Sequence, residues 1–429
     1  MPYKLKDIPK VLCSPIGPQL LQRALILKFW PILIPAAGLF RRIFLRKTLI
    51  TAVIGSFGKT TTTRVLKAAL FREPNPQSNA NPDSFVALGL LSTRPHVRRA
   101  VFEAGIDRPG KMARFAWMIR PDVVVVTSIG SEHHTSFGNP ETTRDEKAHM
   151  VRILPPSGLA VLNGDSPDVL KMKTQTRARV VTFGLGGKND VWAEQIEMDW
   201  PQATRLRICG FGQSRTLIVH FFGWPMIYSL LGAVAAALAQ GLLLDDIAAA
   251  IETVRPTEGR LQPVELPNNV HILRDEFKAS IETVDAALDV IAEIPATRRI
   301  LVLGMVFEPK GEQEKIYHRL GARMAQIADK AVFVGEKTQM HSLVDGAVRA
   351  GFSEENISWV QKVVPDALDA LPKPLMPGDV ILTKGCSEQR LERIALALLG
   401  REVHCSIKEC QAAVSLRCDH CRMLGLRRS

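Results

Sequence analysis

A glycine-rich segment that joins a short apolar run to a helix-like run is the strongest candidate for chemistry in this sequence. It consists of Gly55, Ser56, Phe57, Gly58, Lys59, Thr60 and Thr61. Glycine lets a backbone curve until its N–H groups point at phosphate oxygens, and the start of the following helix adds a positive partial charge. A lysine supplies a cation to the outer phosphates, and a threonine hydroxyl can reach Mg²⁺. The segment therefore predicts a phosphate-binding loop in its shorter form, since Val53 replaces the first Walker A glycine; an ordinary turn is the alternative.

Alternating strand-like and helix-like runs surround this loop and predict an α/β fold. Before residue 260 we expect strands at 49–54, 100–104, 123–129, 158–162 and 179–183, then a β-rich region at 198–222 and an alanine-rich helical region at 230–254. After residue 260 we expect strands at 270–274, 299–303, 330–334 and 379–383. The expectation is a central parallel-sheet domain that contains the P-loop, at 48–260, followed by a smaller Rossmann-like domain at 261–400. An arm at 1–47 and a cysteine-rich tail at 401–429 flank the two domains.

The composition of the 429-residue chain, with 46% apolar and 23% charged residues, is that of a protein with buried cores and excludes wholesale disorder. Its formal net charge of +12 favours anionic partners. Nucleic acid is not expected among them, because no recognition module stands out. The chain has seven cysteines, four of them in the last 25 residues, which is not a disulfide framework and predicts a reducing, cytoplasmic compartment.

The N-terminal arm is apolar and basic. Its apolar stretch at 20–40 is interrupted by Arg23, Lys28, Pro31 and Pro35, and its longest charge-free run has 12 residues, well short of the roughly 20 that a spanning helix needs. Two interpretations stay open: a wedge that lies in a membrane interface, or a pair of short helices packed on the main domain. A protein partner on this arm is a further possibility.

Several segments resemble, in order, the motifs of the Mur ligase family of ATP-dependent amide ligases, in particular its D-Ala-D-Ala-adding peptidoglycan type. The matching segments are 55–63, 78–81, 102–105, 127–133, 145–148, 161–165, 259–260, 274–280, 302–305 and 383–385. The resemblance implies a ligase that activates a carboxylate with ATP as an acyl phosphate, which an amine then attacks. It differs in the arm, which stands where the family has an N-terminal domain for the UDP end of the substrate. The identity of both substrates therefore stays open.

The resemblance also implies roles for individual residues. ATP would contact the loop residues 55–61 together with Asn163, Arg260 and Asp275. Mg²⁺ would be held by Thr60, Glu103 and His133. Lys59, Lys147 and His133 would be catalytic, with Lys147 supporting the metal as a carbamate. Substrate contacts would come from Asn79, Asn81, Lys278 and Lys384.

A different class of function also fits these residues. Some motif positions depart from the family pattern, for example Ser128 in place of asparagine. The alternative to a ligase is therefore a non-catalytic ATP-binding scaffold or regulatory partner of a biosynthetic complex.

The tail carries a second cluster of chemically active residues. Cys418 and Cys421 have the spacing that places two thiolates on one Zn²⁺, and Cys405 with Cys410 would complete a tetrahedral site. The alternative is an unstructured basic tail with free thiols.

Overall fold

The computed structural model describes residues 17–72, 83–131, 134–306, 312–407, 410 and 416–426. The chain divides into two compact units at residues 255 and 256. The first unit, Arg23–Arg255, contains the glycine-rich loop, and the second combines Pro256–Ser429 with the residues up to Gln22. No described helix is long and apolar enough to cross a membrane.

The first unit is built on an eight-stranded sheet with the order β2-β1-β3-β4-β5-β6-β7-β8. Its strands are β1 Leu49–Ile54, β2 Arg99–Glu103, β3 Val123–Val126, β4 Leu159–Asn163, β5 Arg179–Gly184, β6 Val191–Asp199, β7 Ala203–Gly210 and β8 Gln213–Val219. The strands from β2 to β6 pair in parallel, and the β6-β7-β8 extension is antiparallel. The carboxyl ends of β1 to β4 therefore meet at one edge, where open parallel sheets bind their ligands.

Helices cover both faces of this sheet, as buried parallel strands require. They are α1 Gly17–Ile43, α2 Lys59–Phe71, α3 Asp83–Leu91, α4 Lys111–Ile119, α5 His134–Phe137, α6 Pro140–Arg152, α7 Pro167–Leu170, α8 Trp224–Ala239 and α9 Leu244–Ile251, with a 3₁₀ helix at Lys171–Gln175. The four valines of β3 are all buried, which explains their unbroken apolar run.

One helix, α1, replaces the pair of short helices that was one of the two interpretations of the arm. It continues through Pro31 and Pro35, although proline removes a backbone donor and usually breaks a helix. Ile34 and Ala37 are buried in the main core of the first unit. Packing against the core thus outweighs the cost of the two prolines.

The second unit contains a six-stranded sheet with the order β13-β12-β11-β14-β10-β9, in which only the β9–β10 pair is antiparallel. The strands are β9 Gln262–Leu266, β10 Val270–Asp275, β11 Arg298–Leu303, β12 Lys330–Val334, β13 Ile357–Val360 and β14 Asp379–Lys384. The helices are α10 Ile281–Glu293, α11 Gln313–Ala325, α12 Lys337–Arg349 and α13 Glu392–Leu398, with 3₁₀ turns at Pro267–Asn269, Glu354–Asn356 and Cys418–His420 and a π-type turn at Val363–Ala367. The two edge strands, β9 and β13, were not predicted.

The described part of the tail packs onto the second unit. Cys418 and Leu424 form a small apolar cluster with Leu396 of α13. An unstructured tail is therefore wrong for residues 416–426.

Candidate functional site

The glycine-rich loop connects β1 to α2, as predicted. Gly55 and Gly58 have φ angles of 145° and 82°, in the region that side chains disfavour. A Cβ atom on Gly55 would lie 2.0 Å from the Thr127 hydroxyl, and one on Gly58 would lie 2.8 Å from the Ser229 hydroxyl. The loop is thus pressed against the end of β3 and against α8, and neither position has room for a side chain.

Ser128 sets the conformation of the loop. Its carbonyl accepts a hydrogen bond of 2.8 Å from the Ser56 amide, and its hydroxyl accepts another of 2.8 Å from the Phe57 amide. These two N–H groups already have acceptors inside the protein. The first backbone N–H groups of α2 have no acceptor within the helix, because they precede the first turn. They are therefore the donors available to an anion at this loop. Sequence reasoning noted Ser128 as a departure from the family but missed this role.

Two lysines converge on Ser56. The Lys59 side chain folds back and donates to the carbonyls of Gly55 and Ser56, at 2.9 and 2.8 Å. From α6, the Lys147 amine donates to the Ser56 hydroxyl at 2.9 Å. The same hydroxyl accepts from the Gly130 amide at 2.9 Å and donates to the Gly130 carbonyl at 3.5 Å. Burial, and then the charge of Lys59, hold the pKa of Lys147 well below the ordinary lysine value. Lys147 is therefore an amine with a reduced tendency to carry a proton.

Thr60 and Glu103, two of the three residues predicted to bind Mg²⁺, lie next to each other. The Thr60 hydroxyl donates to Glu103 Oε1 at 3.1 Å. Glu103 is buried at the end of β2, with 4% of its surface exposed. A carboxylate beside a hydroxyl at the start of a helix is a donor set that suits a hard cation such as Mg²⁺. His133, the third predicted ligand, lies outside the described residues, as do the predicted substrate residues Asn79 and Asn81.

The end of β4 carries a polar network next to the loop. Asn163 donates from its side-chain amide to the Thr127 carbonyl at 3.0 Å. Burial raises the pKa of Asp165, but hydrogen bonds from the Leu185 amide, Asn189 and Tyr228 bring it below its ordinary value. Burial, followed by the charge of Asp165 and the hydrogen bond to it, raises the pKa of the Tyr228 phenol. The Thr127 carbonyl therefore positions the Asn163 side chain. The hydrogen bonds to Asp165 favour its ionised form.

The second unit brings four predicted site residues together around the end of β10. Lys384 donates to Asp275 Oδ2 at 2.6 Å and to the Lys278 carbonyl at 2.7 Å. The other Asp275 oxygen accepts from the Leu261 amide at 3.1 Å. The Arg260 guanidinium lies over the Phe277 ring, 4.5 Å from its centroid. Burial lowers the pKa of Lys384, although Asp275 acts against it.

The tail reinforces this region of the second unit. Arg274 and Arg417 both donate to Glu276 Oε1, at 2.8 and 2.7 Å, and Arg274 also donates to Asp419 at 2.7 Å. Arg417 lies against Gly259, where a Cβ atom would be 2.7 Å from the guanidinium. No sequence signal indicated this buried network.

The four tail cysteines line one small cavity of about 30 Å³, together with the buried side chains of Arg390 and Arg393. All four are free thiols. Within the described residues, no group of three or more His, Cys, Asp or Glu side chains is arranged to hold a metal ion. The geometry thus places Cys405, Cys410, Cys418 and Cys421 together, as predicted, but does not support zinc ligation.

The sequence matches two protein-family models. The Mur ligase middle domain matches residues 53–237, and the Mur ligase glutamate ligase domain matches residues 259–387. The two matches cover the loop with its surrounding sheet, and the second sheet with Arg260 and Asp275.

Curated relatives carry the name UDP-N-acetylmuramoyl-tripeptide--D-alanyl-D-alanine ligase. The Escherichia coli (strain K12) protein is 28% identical over 311 residues, which is 69% of this chain and 67% of that protein. The Mycobacterium tuberculosis (strain ATCC 25618 / H37Rv) protein is 29% identical over 382 residues, 84% of this chain and 74% of that protein. The Bacillus subtilis (strain 168) protein is 25% identical over 358 residues, 82% of this chain and 76% of that protein.

Solved structures share the fold. MurF from Acinetobacter baumannii superposes with a TM-score of 0.75 at 24% identity, covering 87% of this chain and 81% of that one. MurF ligase from Thermotoga maritima in complex with ADP gives a TM-score of 0.74 at 21% identity, covering 86% and 83%. Mycobacterium tuberculosis folylpolyglutamate synthase gives 0.63 at 17% identity, covering 86% and 95%.

Proposed function

The chain belongs to the Mur ligase family of ATP-dependent amide ligases, and we propose that it joins a carboxylate to an amine at the loop between β1 and α2. Family membership confirms the predicted fold and ligase class. It also favours the catalytic interpretation over the non-catalytic scaffold. A carboxylate oxygen attacks the γ-phosphorus of ATP and ADP leaves. The amine nitrogen then attacks the acyl carbon and loses a proton to solvent, phosphate leaves, and an amide forms.

The observation that carries the assignment of the site is the convergence of Lys59 and Lys147 on Ser56, beside the Thr60–Glu103 pair. We assign the ATP phosphates to the start of α2, where helix amides and Lys59 supply positive charge. For this role Lys59 exchanges its two loop carbonyls for phosphate oxygens. Gly55 and Gly58 keep side chains out of the loop.

Mg²⁺ fits Thr60 and Glu103, and we assign His133 to the same metal site. When bound, Mg²⁺ supplies charge stabilisation for the transferring phosphoryl group. The role of Glu103 is to keep a carboxylate at the end of β2, buried and aimed at α2.

We also propose that Lys147 acts as a carbamate. Carbamate formation requires an uncharged amine, and burial together with Lys59 favours that form of Lys147. The CO₂ carbon bonds to Nζ, and the nitrogen loses a proton. The lysine then becomes an anion that supports the metal instead of a cation that repels it.

In the second unit we assign ATP contacts to Arg260 and Asp275 and substrate contacts to Lys278 and Lys384, with Asn79 and Asn81 as further substrate residues. We keep the domain limits 1–47, 48–260, 261–400 and 401–429 as part of the proposal. Zinc is not part of it, because the described cysteines are not arranged as metal ligands.

We propose an amino-acid or dipeptide amine, with D-Ala-D-Ala as the first to test, and a carboxylate at the end of a muramoyl-type peptide. Both follow from the names of the relatives. A cytoplasmic location fits the six described cysteines, all of which are free thiols.

The test is ADP release with D-Ala-D-Ala and a UDP-muramoyl tripeptide, followed by mass spectrometry of the product. We expect Lys59→Ala to abolish turnover, while Lys173→Ala, at an exposed lysine of the same unit, leaves it unchanged. Tight ATP binding without turnover for any acid–amine pair would instead favour the scaffold. Unchanged product formation by Lys59→Ala would refute the assigned site.

A further inference from the structure

Helix α1 is apolar on two opposite sides, and within the described residues only one of them packs against the protein. Ile34, Ala37 and Leu45 at the end of the arm are buried in the core of the first unit, each with at most 8% of its surface exposed. A helix that is apolar all round is normally covered all round. The outward side of α1 therefore needs an explanation.

The outward side carries a continuous apolar stripe, formed by Phe29, Ile32, Ala36, Leu39 and Ile43. These positions are spaced alternately by three and four residues, which puts them on one face of a helix. Phe29, Ile32, Leu39 and Ile43 are 51%, 68%, 57% and 47% exposed, and Ala36 is exposed as well. The apolar stripe runs four turns along the helix.

Positive charge adjoins the apolar stripe at its C-terminal end. Arg42 lies within the last turn of α1 and stacks on the ring of Trp117, 4.4 Å from its centroid. Arg46 and Lys47 follow and are exposed, as is Trp117, with 45% of its surface. No acidic residue occurs anywhere between residues 8 and 72. A cation beside a half-exposed tryptophan is the combination that suits the boundary between lipid headgroups and acyl chains.

Lys47 also extends this charge into an open groove of about 580 Å³. Its charged and titratable lining consists of Lys47, His96, Arg98 and Arg99, and the lining contains no acidic residue. The groove therefore attracts anions from the same end of the helix at which the apolar stripe finishes.

We propose that this surface docks the protein on an anionic membrane, with the apolar stripe in the interface and the basic residues on the lipid headgroups. An apolar face flanked by lysine and arginine is how interfacial helices bind, and basic residues add attraction to anionic lipid. A protein partner would cover the apolar stripe, but it would not explain why only basic residues adjoin the stripe at its C-terminal end. The proposal does not depend on the ligase reaction, because none of these residues belongs to the nucleotide site.

The test is flotation of the full-length protein with phosphatidylcholine vesicles, with and without phosphatidylglycerol. We expect binding only to the vesicles with phosphatidylglycerol, and a steep loss of binding as salt increases. Leu39→Glu and the double variant Arg46→Glu/Lys47→Glu should each weaken binding by about tenfold or more.

Matched controls separate docking from general effects of charge. Leu243→Glu changes an apolar residue of the first unit that is 62% exposed and lies outside the apolar stripe. Lys173→Glu/Arg177→Glu makes the same charge change at two exposed residues. Both controls should bind as the wild type does, and all variants should keep its melting temperature.

Two results would overturn the proposal. One is equal binding of the stripe variants and the controls. The other is a wild-type protein that ignores vesicles but dissociates from a dimer to a monomer on Leu39→Glu, which would identify the stripe as an interface between copies of the chain.

Discussion

Lys147 donates a hydrogen bond of 2.9 Å from its amine to the hydroxyl of Ser56, and so connects α6 to the phosphate loop. The backbone carbonyl of the same serine accepts from Lys59 at 2.8 Å. Ser56 thus holds Lys59 and Lys147 close together, and both lysines are buried. Such an arrangement is costly when both are charged, and it sets the behaviour of Lys147 with pH.

We expect the free energy of unfolding to rise with pH, from the lowered folded-state pKa of Lys147 up to the ordinary lysine value of 10.5. Within that window the unfolded chain binds more protons than the folded chain, so stability increases as protons are removed. The measurement is urea unfolding at several pH values in CO₂-free buffer. Lys147→Met should lose this slope and Lys173→Met should keep it; a variant Lys147→Met with the wild-type slope would contradict the assignment.

Glu103→Gln should raise the Mg²⁺ concentration needed for half-maximal ADP release by about tenfold or more, because an amide replaces the charged ligand. Thr60→Val removes the hydroxyl that bonds Glu103 at 3.1 Å and should act in the same direction. Glu141→Gln, at an exposed position on α6, is the control. An unchanged Mg²⁺ requirement in both site variants would exclude Thr60 and Glu103 as ligands.

Gly58→Ala should weaken ATP binding and lower the melting temperature. Its φ of 82° costs an alanine about 1 kcal/mol, and the new methyl group would lie 2.8 Å from the Ser229 hydroxyl. Gly186→Ala is the matched control, since a Cβ atom there meets nothing within 4 Å and φ is ordinary. Calorimetric titration with ATP and thermal unfolding measure the two effects. Equal affinities in the two variants would argue against a tightly packed nucleotide loop.

Asp419→Asn should destabilise the second unit by about 3 kcal/mol, because it leaves part of the charge on buried Arg274 without its partner. Burial opposes ionisation of Asp419, but Arg274 and Arg417 lower its pKa to about 2. A depressed carboxyl pKa stabilises the fold above its ordinary value of 3.8, and this contribution disappears as pH falls towards 2. Asp369→Asn, in an exposed pair with Lys373, should change little. Unfolding curves at pH 7 and at acidic pH provide the measurement. Equal losses of unfolding free energy in the two variants would show that the Arg274–Asp419 contact does not stabilise the second unit.

Cys418 should react with iodoacetamide more slowly than Cys405 and Cys421. Burial, followed by the nearby Glu392 carboxylate, raises the pKa of its thiol to about 12, and the thiolate is the reactive form. Mass spectrometry of the labelled peptides gives the relative rates. Equal rates would contradict the burial of Cys418, and a chelator that accelerated labelling of all the tail thiols would reveal a bound metal.

Features encoded in short stretches of sequence were predictable. The glycines predicted a tight loop, and the run of four valines predicted a buried strand. The structure has both features at those positions. Longer-range features were not. Arg274 and Asp419 are 145 residues apart along the chain, and neither has a neighbour in sequence that indicates their contact. The continuous α1 was missed for a similar reason, since the core contacts of Ile34 and Ala37 compensate for prolines that local rules treat as breaks.

The guanidinium of Arg417 fills the space beside Gly259, at the start of the segment that leads to Arg260. The tail segment around Arg417 and the segment that begins at Gly259 therefore fit closely against each other. Removal of the tail from this chain would leave an empty space next to Gly259, and a larger residue at position 259 would collide with the Arg417 guanidinium. Any chimera made with the second unit of this chain must therefore transfer residue 259 and the tail segment around Arg417 together.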